Sequence, residues 1–124
     1  MVLSAADVYA LDSFAEGGQL AAVEAVICGL PVVLSEVGFA RDLVASAGVH
    51  GHVVSRANAD YSQSALAAQR RRRHQSNRDE FADALAAAAR YPRSAVGSVP
   101  PSFTEAAMVL GHATALRTAA RSPR

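Results

Sequence analysis

Residues 8–34 read Val8-Tyr9-Ala10-Leu11-Asp12-Ser13-Phe14-Ala15-Glu16-Gly17-Gly18-Gln19-Leu20-Ala21-Ala22-Val23-Glu24-Ala25-Val26-Ile27-Cys28-Gly29-Leu30-Pro31-Val32-Val33-Leu34. Val8 to Leu11 is a short β-branched and aromatic run closed by the polar pair Asp12-Ser13, which is the pattern of a buried strand. Gly17-Gly18 break the chain. A helical pattern begins near Leu20, with Leu20, Val23 and Ile27 at helical spacing and Gly29 placed as the residue just past the helix end. Pro31 to Leu34 is a second apolar run of strand length. Strand, helix and strand follow within about 30 residues, and the strands are continuously apolar; together these predict a parallel α/β unit.

Downstream, Gly38 marks a loop, Arg41 to Ala47 is a short helix and His52-Val53-Val54 a third strand. Arg56 to Ser64 is polar and reads as a loop. Asn77 with Glu80 has the spacing of a capping box and opens a helix carrying Phe81, Leu85 and Ala88, which Tyr91-Pro92 ends. Gly97 to Pro101 is a linker. Ser102 with Glu105 suggests a second capping box, and Phe103, Leu110 and Ala113 give the last helix one apolar stripe. The expected fold is therefore α/β, a partial Rossmann-like parallel sheet flanked by helices. It divides into an α/β unit over 1–55, a loop and arginine-rich helix over 56–76, and C-terminal helices over 77–124. At its C-terminus the pattern reads as complete; at its N-terminus it starts almost on a strand.

Of the 124 residues 63 are apolar, but 28 of these are alanine, leaving 35 larger apolar side chains for one small core. Alanine buries little area, so marginal stability is expected unless the domain packs against something else. The length excludes an enzyme with separate acceptor and donor domains. No apolar run approaches the roughly 18 residues of a membrane span, and no signal peptide is visible. All 12 basic residues are arginine, and the net charge of +1 gives no footprint for nucleic acid. The single cysteine, Cys28, excludes an internal disulfide and fits a reducing, cytoplasmic compartment.

Two carboxylates stand eight positions apart, Glu16 in the glycine loop and Glu24 in the opening turns of the helix. Glu24 shares the stripe of Leu20 and Ile27, which the periodicity turns toward the sheet. A carboxylate there needs a hydrogen-bonding partner, either a ligand hydroxyl pair or a loop amide or arginine. Gly17-Gly18 just before the helix would expose backbone N–H groups where the helix dipole favours an anion, although a glycine pair is also simply a turn.

The order Ala6-Asp7-Val8, Glu16-Gly17, Glu24-Ala25, Cys28-Gly29-Leu30-Pro31-Val32-Val33, Val37-Gly38, Val44 and Gly51 resembles the C-terminal, donor-binding half of a GT-B type glycosyltransferase. It is most similar to the large retaining group called glycosyltransferases group 1, or family 4, strongly over about residues 5–55 and more weakly over 77–120. The resemblance implies a nucleotide-sugar donor as substrate, with no cofactor and no metal. It implies that Glu16 is catalytic and contacts donor-sugar hydroxyls, that the amides of Gly17, Gly18, Gln19 and Leu20 bind the diphosphate, and that Glu24 holds the ribose hydroxyls. Gly18 and Gln19 depart from the family, where an aromatic or aliphatic residue and then a small one are common. The acceptor is left open. The family's N-terminal acceptor domain, and the basic pair it places on the diphosphate from an upstream unit, have no counterpart in these residues, so a missing partner domain is implied.

Other features carry less. Arg70 to Arg73 and His74 point around a helix axis at about 100° per residue, so they form a solvated face or a rim for phosphate or an anionic membrane surface rather than a nucleic-acid patch. His50 and His52 share a strand face without a third metal ligand. Cys28 reads as core. A non-catalytic donor-binding subunit or truncated chain, and a non-enzymatic α/β module, stand beside the enzyme.

Overall fold

The computed structural model describes residues 2–58, 60–72, 75–94 and 99–121. Three strands, β1 (Tyr9–Leu11), β2 (Val32–Ser35) and β3 (Gly51–Val54), form one parallel sheet in the order β1-β2-β3. Tyr9 lies beside Val32 and Val32 beside Gly51, so the three strands start level. Helix α1 (Leu20–Ile27) links β1 to β2, and α2 (Ala40–Val44) links β2 to β3. Both pack on the face that bears Val32 and Leu34, where Ala22, Val23, Ala25, Val26, Ala40 and Leu43 complete the main core. Beyond β3 come α3 (Gln63–Arg71), α4 (Arg78–Ala88) and α5 (Glu105–Arg121). Helix α4 covers the opposite face of the sheet with Phe81, Ala84, Leu85 and Ala88 against Val33 and Val54. This is the expected partial Rossmann-like α/β arrangement. No helix among the described residues is long and apolar enough to cross a membrane.

Alanine decides how α1 sits. Its sheet-facing residues are Ala22, Val23, Ala25 and Val26, while Leu20 is 71% exposed and Glu24 is exposed. Leu20, Glu24 and Ile27 do share a stripe, but only Ile27, half-buried, packs against the core; Leu20 and Glu24 look outward, contrary to the expectation that the stripe meets the sheet. The small residues let the helix backbone lie close on the strands, and close packing outweighs the larger transfer energy of one leucine. The carboxylate of Glu24 therefore carries no burial cost.

Two expected capping boxes are built differently. Asn77 does precede α4, but its side chain caps nothing; its Nδ2 donates to Asp12 Oδ1 (3.0 Å) and to the Ser55 carbonyl (3.1 Å). Glu80, instead of reaching back to residue 77, accepts from the amide of Ser55 at 3.1 Å. Tertiary partners at the sheet's carboxyl edge thus outcompete the local cap. At α5 the cap is Thr104, whose Oγ1 accepts from the Ala107 amide (3.2 Å), because Pro101–Phe103 forms a 3-10 turn that takes up Ser102. Arg70 and Arg71 end α3, and Arg72 is already extended; the expectations for Arg73, His74, Gly97 and Ser98 lie outside the described residues.

The amino edge of the sheet is tied by the chain that follows α4. Arg93 donates from Nη1 and Nη2 to the carbonyls of Ser4, Leu3 and Ala6 at 2.8 to 3.1 Å. Ser94 donates its amide to the Gly29 carbonyl at 3.0 Å and its hydroxyl to the Gly48 carbonyl at 3.0 Å. Gly29 ends α1 at φ +77°, as its sequence position suggested, and a Cβ there would stand 2.5 Å from the Ser94 carbonyl oxygen.

Gly51 is the tightest position in the sheet, because an added Cβ would lie 2.4 Å from the Val32 carbonyl oxygen and 2.7 Å from a Val32 methyl. We expect Gly51→Ala to destabilise the fold by about 1–3 kcal/mol, read as a lower urea midpoint at unchanged slope.

Candidate functional site

The residues singled out by sequence gather on the loop that leaves the carboxyl end of β1 and on the first turns of α1. That is the edge where open α/β sheets hold their ligands. The loop is anchored from below by Ser35, the last residue of β2, which is fully buried. The Ser35 hydroxyl accepts from the Ser13 amide (2.8 Å) and donates to the Ser13 carbonyl (2.8 Å), with the Leu11 carbonyl at 3.3 Å. Ser13 in turn donates its hydroxyl to Glu16 Oε1 at 2.6 Å. The backbone of Glu16 abuts Gly38, where a Cβ would approach the Glu16 carbonyl oxygen to 3.3 Å and where φ is +53°. The Glu16 carboxylate is therefore held by a short chain of contacts that begins in the sheet.

Gly17 and Gly18 are exposed, and a Cβ at Gly17 would meet nothing within 4 Å. Gln19 is 2% exposed, and its Nε2 donates to the Val37 carbonyl at 3.2 Å. Its backbone carbonyl accepts from the amides of Ala22 and Val23, which fixes the start of α1. Among the described residues, no group accepts from the amides of Gly17, Gly18, Gln19, Leu20 or Ala21. These are the free donors that a helix start leaves over, and they sit at the positive end of the α1 dipole. The side chain of Gln19 thus belongs to the support of the loop.

Tyr9 packs against the core on the α1 face of β1. Burial pushes its phenol above the ordinary value of 10.0, and the carboxylates of Glu16 and Glu24 push it in the same direction. Both acids therefore act on one tyrosine of the first strand. The sequence showed Tyr9 only as a strand residue and Ser13 only in the polar pair that closes a strand, and it did not single out Ser35. The alternation of side chains along β1, which puts Tyr9 on the α1 face, was the available signal.

Beside the loop lies an apolar cavity of about 540 Å³ lined by Gly18, Leu20, Val23, Phe39, Phe103 and Met108 among others. The rings of Phe39 and Phe103 meet at 4.9 Å. A second cavity of about 330 Å³ lies between Arg41, Arg56 and Tyr61. It is charge-balanced, with Glu36 and Asp42 beside Arg41 and Arg56; Arg41 pairs with Glu36 at 2.8 Å, and Arg56 donates to the Tyr61 hydroxyl at 3.0 Å. His50 and His52 do share one side of the sheet, but their rings lie against Tyr91 at 5.3 and 5.6 Å. Among the described residues no three metal-ligating side chains come together. Cys28 is half-buried at the end of α1 rather than in the core.

A family model described as glycosyl transferases group 1 matches residues 1–91. That span runs from the first turn through α4. No curated protein and no solved structure matches the chain.

Two outcomes test this geometry. Ser35→Ala leaves the amide and carbonyl of half-buried Ser13 without the partner that holds them and should cost about 1–3 kcal/mol in urea unfolding. Tyr9 binds its proton more tightly folded than unfolded, so its contribution to stability is full below pH 10 and is lost as pH rises through the higher folded value. Unfolding free energy measured on the alkaline side should therefore fall less steeply in Tyr9→Phe than in the parent; equal slopes would assign the fall to other groups.

Proposed function

The chain belongs to the glycosyl transferases group 1 family, and from that premise we propose that it is the donor-binding part of a GT-B glycosyltransferase, moving a sugar from a nucleotide-sugar to an acceptor. One observation carries this: a carboxylate fixed by Ser13 stands next to five unpaired amides at the start of α1. In this proposal the donor diphosphate lies on the amides of Gly17, Gly18, Gln19 and Leu20. No metal or cofactor is given a role. Two phosphate charges meet oriented N–H groups and the helix dipole, which need no reorganisation as charge builds on the leaving diphosphate.

Glu16 and Glu24 then divide the sugars between them. Glu16 lies in the loop ahead of the amides and accepts from hydroxyls of the transferred sugar. Glu24 lies one helical turn past Leu20 and accepts from the ribose hydroxyls of the nucleotide. Its exposure supports this, because a solvated carboxylate is available to a ligand without breaking an internal ion pair. Retention of anomeric configuration is what the family resemblance implies.

The site is a single wall. Gly17, Gly18, Leu20 and Glu24 are exposed, and what this chain sets beside them is apolar: Phe39, Phe103 and Met108 across the cavity from Gly17, Gly18 and Leu20, and Leu3 near Glu24. We take the acceptor, and the opposite wall, to come from a second domain. A donor-binding module that is silent until such a domain is supplied is therefore the companion proposal. Peripheral contact with an anionic membrane through Arg70, Arg71 and Arg72 belongs to the same proposal.

Calorimetry with a panel of nucleoside diphosphates and their sugar conjugates tests the assignment. Glu24→Ala should weaken binding of the preferred nucleotide about tenfold, the value of a charge-assisted hydrogen bond or two. Unchanged affinity would remove the ribose role from Glu24. Saturable binding without transfer, converted to transfer by an added N-terminal domain, would favour the module over a self-sufficient enzyme.

A further inference from the structure

The cavity of about 330 Å³ opens where β2 and β3 end, on the carboxyl edge at which open α/β sheets hold their ligands. It is tied across the two strands, because Glu36 donates its amide to the Val54 carbonyl at 2.8 Å. Tyr61 enters it from the loop after β3, where Asp60 Oδ1 accepts from the Ser62 amide at 2.8 Å. Gly38 lines the cavity and also abuts the backbone of Glu16, so the cavity and the glycine loop share a wall.

Not all of its polar groups are used. Glu36 is taken by Arg41 at 2.8 Å. Asp42 and Arg56 line the same cavity, yet among the described residues no ion pair joins them to each other or to any other charge. The Asp42 carboxylate can only accept, and most of the Arg56 fork is left over after one bond to the Tyr61 hydroxyl at 3.0 Å. Tyr61 itself is 47% exposed, with that guanidinium over its ring at 5.8 Å. The cavity therefore offers an acceptor, several donors and an exposed aromatic ring, with its charges in balance.

We propose that this cavity binds a neutral pyranose ring of the acceptor. A sugar hydroxyl donates and accepts at once, so one ring satisfies Asp42 and Arg56 together. Its C–H face is apolar and covers the tyrosine ring. An anion would meet Glu36 and Asp42 and a cation would meet Arg41 and Arg56, whereas a neutral polyol meets no like charge. A wholly apolar ligand would strip water from two unpaired charges. The setting rests on the donor-binding reading: with the transferred sugar at Glu16, a ring held past Gly38 is its neighbour, which is where an acceptor sugar has to be. The second domain then holds only the rest of the acceptor.

Saturation-transfer NMR of the whole chain with a panel of neutral methyl hexopyranosides, and with a methyl glucuronide and a methyl glucosaminide, is the test. A neutral glycoside is expected to bind without nucleotide, with a dissociation constant on the order of a millimolar for so small a ligand. Asp42→Asn and Arg56→Gln should each weaken it about tenfold. Tyr61→Ala should do the same, while Tyr61→Phe, which keeps the ring, should stay within about threefold of the parent. All four variants should keep the far-UV circular dichroism of the parent, and an added nucleoside diphosphate should leave glycoside affinity unchanged. Tighter binding of either charged sugar, or affinity indifferent to all three positions, would overturn the proposal. So would displacement of the glycoside by a nucleotide-sugar but not by the nucleoside diphosphate, which would give the cavity to the donor's own sugar. The two readings fail separately: nucleotide binding with no glycoside binding overturns the acceptor site alone, and glycoside binding with the expected losses but no nucleotide binding overturns the donor reading alone.

Discussion

The hydroxyl of Ser35 bears on everything at the carboxyl edge of the sheet. It is fully buried at the last position of the central strand and satisfies both the amide and the carbonyl of Ser13. Those are the backbone groups that a chain leaving a parallel strand must otherwise expose or leave unpaired. With Ser13 fixed, its own hydroxyl is aimed at Glu16, and the glycines that follow can run without internal support into α1. The acid is thus placed from the sheet through Ser13, while Gln19, bonded to the Val37 carbonyl, holds the start of α1 and its open amides. The loop itself needs no rigid residues.

The rest of that edge is held on the same plan, by polar side chains bonded to backbone across elements. Asn77 bridges Asp12 and Ser55, Glu80 holds the Ser55 amide, and Gln19 holds the Val37 carbonyl. Such bonds are modest individually, but leaving a buried partner unpaired is costly. In a core diluted by alanine, where area burial is thin, this matters more than it would in a leucine-rich domain.

The strands, the helices between them and the glycine loop were legible from apolar runs and breaks, since those depend on local spacing. So were the residues of α4 that face Val33 and Val54. The orientation of α1 was not, because periodicity shows that Leu20, Glu24 and Ile27 share a stripe without showing which stripe packs. There the alanines won by allowing close approach. The boxes at Asn77 and Ser102 misled for a related reason: the same polar residues suit a local cap and a distant partner, and only the fold decides between them. Ser13 and Ser35 stand 22 positions apart, beyond the reach of any local pattern. The acids and amides of the candidate site were visible one by one, whereas their common neighbour Tyr9 was hidden in a strand.

Among the described residues, residues 77–94 supply ties to both edges of the sheet: Asn77 and Glu80 at one edge, Arg93 and Ser94 at the other. Synthesis from the amino end therefore delivers all three strands well before their fastenings. The nascent sheet stays loose until α4 and the two residues of its strap have left the ribosome, and only then does the loop bearing Glu16 rest on a finished floor. The sheet's timetable is set by the polar residues that arrive last, although its shape is set by the apolar ones that arrive first.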